Sequence, residues 1–399
     1  MPCPEVTPLS VRRARPDGSA GSPQRRVLDP RAGRSQAGGM SPLSVPHWYV
    51  CPSARFWNCP PAPDGARAFH ASLPGYAPTP LTELPALARG LGVGRLFAKD
   101  ESARLGLPAF KALGATWAVH RLLEEHAGGG PVTLVTATDG NHGRAVARTA
   151  RLRGQRAHVF VSRGVHPAAV AAVAGEGARV TTVDGPYDEA VRAARAAAGA
   201  PGTLLVQDSG QPGYERVPGW IVEGYATLFA ETDEQLARAG AAPPDLVAVP
   251  AGVGSLAQAA VVHYRSPREG RRPPVLLTAE PEAAPCVLTS LRHGEPRTVP
   301  TGETAMAGLN CGTPSLLAWP YLRDGIDAAV AVDDAAGAAA ARDLAAHGVP
   351  AGPCGAAPLA GLRAALGAAA RPGLDLAPDA TVVLLSTEGA EANPGYSPA

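Results

Sequence analysis

The chain has 399 residues, enough for one large domain or two ordinary ones. Its 36 basic and 35 acidic residues cancel, so no global field draws nucleic acid or anionic lipid, and no apolar run reaches the roughly 18 to 20 residues that span a bilayer. A content of 45% hydrophobic and 18% charged residues is that of a soluble globular protein.

Residues 1–39 are rich in Pro, Gly, Ser and Arg and poor in large apolar side chains. Such a stretch buries too little surface to offset its ordering entropy, so it reads as a disordered extension upstream of a natural start at Met40. From Met40 to about Pro80 the pattern is irregular, anchored by Trp48, Trp57 and Tyr76. From "RLFAKD" onward, short β-rich runs alternate with Ala-rich helical stretches: "VTLVTA", "AHVFV", "ARVTTVD", "LLVQD", "LVAVPAG", "VLLTAEP", "AAVAVDD" and "TVVLLSTEG" each adjoin a helical pattern. This alternation predicts an α/β protein of roughly nine strands in mostly parallel, twisted, helix-covered sheets, divided between two lobes with a ligand between them. The six cysteines (Cys3, Cys51, Cys59, Cys286, Cys311, Cys354) lack CxxC spacing, so neither a metal site nor a disulfide scaffold is expected, and the cytoplasm is the expected compartment. An approach of Cys286 to Cys311 is left open.

In parallel sheets ligands sit beyond the carboxyl ends of the strands, so the loops there carry the candidate chemistry. "TATDGNHG" places Asp139, Gly140, Asn141 and His142 at a helix start, where unpaired N–H groups favour a polar ligand; ordinary N-capping explains one polar residue but not the run. "AGVGS" joins a strand to a helix through Gly252, Val253, Gly254 and Ser255, a backbone nest suited to phosphate, although neither GxGxxG nor a P-loop is present. "LLSTEGA" ends the last strand with Ser386, Thr387 and Glu388, which suits hydrogen bonding to a heteroaromatic nitrogen and equally suits a plain cap. Two lysines precede these loops. Lys99, beside Asp100 and Glu101, reads as a surface ion-pairing side chain at a strand end. Lys111 lies among Leu105, Leu107, Phe110 and Leu113, where burial would lower its pKa toward that of a nucleophilic amine.

Together "LPAFKALGA", "TATDGNHG", "AGVGS" and "STEG" resemble, in order, the loops of fold-type II pyridoxal 5′-phosphate enzymes, the tryptophan synthase β-subunit superfamily. Within it, the stretch from "FHASLPGYAPTPL" to "KALGA", together with "VQDSG", "GYERVPGWIVEGYATLFAE", "AGLNCGTPS" and "LLSTEGA", is most similar to the diaminopropionate ammonia-lyases, over roughly Phe69 to Ala392. The resemblance implies a large cofactor-binding lobe of residues 40–110 and 227–399 and a small lobe of 111–226. It also implies a homodimer acting on a small amino-acid substrate.

Lys111 would carry the cofactor as a Schiff base, Asn141 would bind its phenolic oxygen, and the amides of Gly252, Val253, Gly254 and Ser255 would hold its phosphate. Ser386 or Thr387 would meet the pyridine nitrogen, and Asp139 and Asp208 would serve proton transfer and recognition of the substrate's amino groups. The implied reaction releases ammonia from D- and L-2,3-diaminopropionate and yields pyruvate; a serine or threonine dehydratase, another β-elimination or β-replacement enzyme, and a silent cofactor-binding module are the alternatives. One departure bears on substrate identity. Where many fold-type II enzymes have a Gly-Glu-Ser-Gly-like turn, "AGPCGAAPLAGL" puts Pro353 and Cys354, so a pocket carboxylate is expected to be missing.

Overall fold

A computed structural model describes residues 48–396 apart from 127–129, 268–269, 271, 368–373, 375 and 395. The expected N-terminal extension lies outside the described residues. The chain enters through β1 (Trp48–Val50), α1 (Ala66–Ala71), β2 (Leu81–Glu83), α2 (Pro85–Leu91), β3 (Arg95–Asp100) and α3 (Lys111–Glu125). It continues through β4 (Thr133–Ala137), α4 (Asn141–Leu152), β5 (Arg156–Ser162), α5 (Pro167–Gly175), β6 (Arg179–Val183), α6 (Tyr187–Ala197), β7 (Thr203–Leu205) and the long α7 (Arg216–Arg238). The remainder is β8 (Leu246–Pro250), α8 (Ser255–Arg265), β9 (Val275–Pro281), α9 (Cys286–His293), α10 (Trp319–Gly325), β10 (Ala328–Val332), α11 (Asp334–Ala346), α12 (Pro353–Leu366) and β11 (Thr381–Ser386).

The strands form two sheets. Strands β6-β5-β4-β7 make a four-stranded sheet that is parallel throughout. The seven-stranded sheet runs β1-β10-β9-β8-β11-β3-β2, with its five inner strands parallel and both edge strands antiparallel to their neighbours. The fold class is therefore the expected α/β, and all nine anticipated strands are present. The two further strands, β1 and β2, are three-residue edges in the Pro-rich region, too short for a period-2 pattern to announce them. Strand β8 is buried along its whole length, as befits a parallel strand covered on both faces. Among the described residues no helix is long and apolar enough to cross a membrane.

Helices α3 and α7 cross with almost no space between their backbones. A Cβ added at Gly114 would come within 2.7 Å of Ile221 and Tyr225 side-chain atoms, and one at Gly224 within 2.7 Å of the Leu113 carbonyl. Glycine at both positions lets the helices touch, which fixes where Lys111, the first residue of α3, projects.

Lys99 overturns the surface reading. It is wholly buried, and its Nζ donates to Glu231 at 2.7 Å, to the Thr79 carbonyl at 2.8 Å and to Gln235 at 2.9 Å. Strand β3 is interior to the large sheet and α7 supplies acceptors from more than 130 positions away, so the local acidic neighbours were the wrong clue. Arg104, also fully buried, bridges Glu101 and Glu231 with bonds of 2.7 Å to each.

Candidate active site

The loops that follow β4, β8 and β11, the start of α3 and the segment after β7 all open on one cleft. Lys111, Asp139, Asn141, Asp208, Gly252, Val253, Gly254, Ser255 and Thr387 line it, joined by Tyr187, Cys311, Cys354 and Glu388. Ser386 lies behind that wall, fully buried, with its Oγ lacking a hydrogen-bond partner among the described residues.

Lys111 faces Asp208 across the cleft, its Nζ donating to Oδ2 at 2.7 Å. Burial acts to lower the pKa of the amine, but the Asp208 carboxylate outweighs it and holds the ammonium above its ordinary range. That reverses the expectation of a lowered lysine pKa, because the partner sits 97 residues downstream. Asp208 responds in kind. Burial would raise its pKa, yet Lys111 and then His142 hold the carboxyl well below the usual range. Asp139 has no such cation, and burial followed by the charge of Asp208 pushes it up to about 7. One cleft thus holds a committed carboxylate and one poised to exchange a proton near neutrality.

Asn141 opens α4, and its Nδ2 donates to Glu388 Oε2 at 2.7 Å. The neighbouring His142 is buried, its Nε2 donating to the Val206 carbonyl at 2.8 Å. Across the cleft, Gly254 sits in the left-handed region at φ 93°, and a Cβ there would lie 2.6 Å from Leu322 Cδ1. No side chain caps α8, whose start presents the backbone and dipole of a helix N-terminus to the cleft. The Ser255 hydroxyl donates to the Asp208 carbonyl at 3.1 Å and so ties the glycine turn to the Asp208 segment. The five described cysteines are free thiols, Cys286 and Cys311 included.

Residues 72–388 match the family described as pyridoxal-phosphate dependent enzyme. The chain belongs to this family. Among its relatives, the diaminopropionate ammonia-lyase of Salmonella typhimurium is 39% identical over 290 residues, which are 67% of this chain and 71% of the relative. The L-threonine ammonia-lyase of Geobacter sulfurreducens is 29% identical over 203 residues, 50% of this chain and 46% of the relative. A crystal structure of Escherichia coli diaminopropionate ammonia-lyase with D-serine superposes with a TM-score of 0.76 at 33% identity, covering 86% of this chain and 94% of that one. The same Escherichia coli enzyme in complex with an aminoacrylate–pyridoxal phosphate azomethine intermediate gives a TM-score of 0.75 at 35% identity, covering 81% and 87%.

The cleft of this pyridoxal-phosphate dependent enzyme fits the cofactor by its own chemistry. It offers a primary amine, an anion nest at an uncapped helix start, a carboxamide and, at the end of β11, hydroxyls of which one is buried without a partner. Glu388, Tyr187 and Asn393 are among the lining residues to which the sequence assigned no role. Tyr187 begins α6 and accepts a hydrogen bond from Gln207 Nε2 at 2.8 Å; a tyrosine at a helix start carries no signal of its own. For Glu388 the signal was present in "STEG" but was equally well explained by capping.

Proposed function

We propose that this enzyme eliminates the β-amino group of D- and L-2,3-diaminopropionate as ammonia, after which water releases the α-nitrogen as a second ammonia and leaves pyruvate, with Lys111, Asp139 and Asp208 as its catalytic residues. The observation that carries this reading is the pair of unlike carboxyls around one amine: Asp208 ionised at 2.7 Å from Lys111, and Asp139 raised to about 7. A substrate with a second ammonium needs carboxylate in its pocket, whereas the neutral hydroxyl of serine does not. The names of the Salmonella and Escherichia coli relatives support the same choice over a dehydratase.

Pyridoxal phosphate, when bound, supplies an electron sink for the pair left at Cα after deprotonation. Lys111 would hold its aldehyde carbon, Asn141 its phenolic oxygen, the amides of Gly252, Val253, Gly254 and Ser255 its phosphate, and Ser386 or Thr387 its ring nitrogen. The Lys111 amine, once released, takes the Cα proton of the L-isomer, and Asp139 in its ionised form takes that of the D-isomer. Asp208 has two tasks. It holds the Lys111 nitrogen in place until substrate arrives, and then keeps the substrate's β-amino group protonated, so that it departs as neutral ammonia with the C–N bonding pair. The same reading makes residues 40–110 and 227–399 the large lobe and 111–226 the small one, in a homodimer of the cytoplasm, on the family resemblance and the free thiols.

The test is pyruvate release by the purified holoenzyme from D- and L-diaminopropionate, D- and L-serine and threonine. Diaminopropionate should exceed serine in kcat/KM by about 10²-fold, the scale on which a matched charge discriminates. Equal turnover of serine would assign the enzyme to the dehydratases. Lys111→Ala should abolish turnover and alter the visible band of bound cofactor.

A further inference from the structure

Glu388 sits where three chain segments are stitched together. Phe110 N–H donates to the Thr387 carbonyl, Gly352 N–H to the Glu388 carbonyl, and Gly389 N–H to the Pro108 carbonyl, each at 3.0 Å. The loop that delivers Lys111 and the loop that starts α12 therefore grip the backbone of residues 387–389, and the Glu388 side chain has little freedom. It is 3% exposed, yet it reaches the cleft wall.

Its carboxylate is held by neutral donors. Asn141 Nδ2 donates to Oε2 at 2.7 Å, while Asn393 Nδ2 at 2.5 Å and Cys354 N–H at 3.3 Å donate to Oε1. Among the described residues no lysine or arginine forms an ion pair with it. A donor set of this kind favours an ionised carboxylate and offers no acceptor for an acid proton, while burial, the larger effect, raises the Glu388 pKa. Around the cleft the other titratable groups are Lys111, Asp139, His142, Tyr187, Asp208, Cys311 and Cys354. Holding an unpaired buried carboxylate is costly, which argues for a task other than stability.

The contact with Asn141 indicates the task. Asn141 belongs to the helix after β4 in the four-stranded sheet, and Glu388 follows β11 in the seven-stranded one. A carboxamide has two N–H groups and one oxygen, and nothing in the amide itself decides which end faces a ligand. The carboxylate accepts one N–H and thereby fixes the amide, leaving the second N–H for the cleft. Because Oε1 also meets the Cys354 N–H, β11 brings a carboxylate to the very turn that lacks a glutamate of its own.

We propose that Glu388 is a positioning residue: it holds the Asn141 amide with its second N–H toward the cofactor's phenolic oxygen and keeps a negative charge one hydrogen bond away from that oxygen. This rests on the cleft being the pyridoxal phosphate site with Lys111 as its anchor.

The test compares Asn141→Ala, Glu388→Ala, Glu388→Gln and the double variant Asn141→Ala/Glu388→Ala. Two quantities are read: the dissociation constant of pyridoxal phosphate from each apoprotein, and the pH midpoint of the visible band of each holoenzyme. Glu388→Ala should weaken cofactor binding about tenfold, as should Asn141→Ala, and the double variant should be no weaker than either. Additive losses would overturn the link to Asn141. Glu388→Gln keeps one oxygen to accept from Asn141 but loses the charge and the acceptor for Asn393 and the Cys354 N–H, so it should retain more affinity than Glu388→Ala while its band midpoint falls by about one pH unit. An unmoved midpoint would overturn the electrostatic part, and this isosteric variant decides the matter alone if the alanine variant does not fold. The two readings fail separately. A wild-type band that persists in Lys111→Ala defeats the cofactor assignment, whereas loss of that band beside unaltered Glu388 variants defeats this inference alone.

Discussion

Two charged assemblies are buried in this molecule, and they are built on opposite principles. Between β3 and α7, Lys99 and Arg104 face Glu101 and Glu231, two cations against two anions, all four fully buried and joined by bonds of 2.7 Å. In the cleft, Lys111 is the one lysine or arginine of the lining, facing Asp139, Asp208 and Glu388. Balance produces a rigid strut behind the site, since every charge there has a fixed partner. Imbalance leaves charge unmatched, since burial and then the Asp208 carboxylate raise Asp139 to about 7.

The balanced assembly is the more fragile to truncation. Glu231→Ala would leave Lys99 and Arg104 buried with one carboxylate between them, at a cost of about 3–5 kcal/mol. Urea unfolding should show this as a lower midpoint with unchanged slope, and a loss below about 1 kcal/mol would mean that water or rearranged side chains replace Glu231. In the cleft the same kind of change should spare the fold and damage the reaction. Asp208→Asn removes the charged partner of Lys111, so burial is opposed less strongly and the pKa of the amine falls. We expect kcat/KM to drop about 10²-fold for both diaminopropionate isomers, within the range of a lost proton-transfer group, with unfolding stability little changed. A destabilisation matching that of Glu231→Ala would erase the distinction between the two assemblies.

This contrast also marks what the sequence could and could not reveal. Hydrophobic periodicity announced the nine strands of the parallel sheets and placed their terminal loops on one ligand, because alternation and glycine turns are local signals. Charge partnership is not local. Lys99 looked solvent-facing beside Asp100 and Glu101, yet its carboxylate comes from Glu231 and its burial from β3 being an interior strand. Lys111 was singled out by its apolar setting and lines the cleft, but its electrostatic environment is set by Asp208 and runs opposite to burial. Glu388 was set aside as a cap, since its partner Asn141 lies 247 positions earlier. Pro353 and Cys354 bring no carboxylate of their own to the start of α12, and the Cys354 N–H meets Glu388 from beyond β11 instead. Which elements form was legible; which charges meet across them was not.

The smallest expected effect is the most specific to the surplus of carboxylate. Asp139 works as a base only when ionised, and its folded pKa of about 7 places that change within reach of ordinary assays. About one tenth of it is ionised one unit below that value and about nine tenths one unit above, so the rate it limits should rise about tenfold between pH 6 and pH 8 and then level off. The dependence should belong to the D-isomer, whose Cα proton is assigned to Asp139, and be weaker for the L-isomer, whose proton is assigned to Lys111. Asp139→Asn should flatten the D-profile, lower its plateau and leave the L-profile nearly as it was. Parallel profiles for the two isomers, moved equally by the substitution, would show that the carboxyl shapes the pocket for both substrates and is the base for neither.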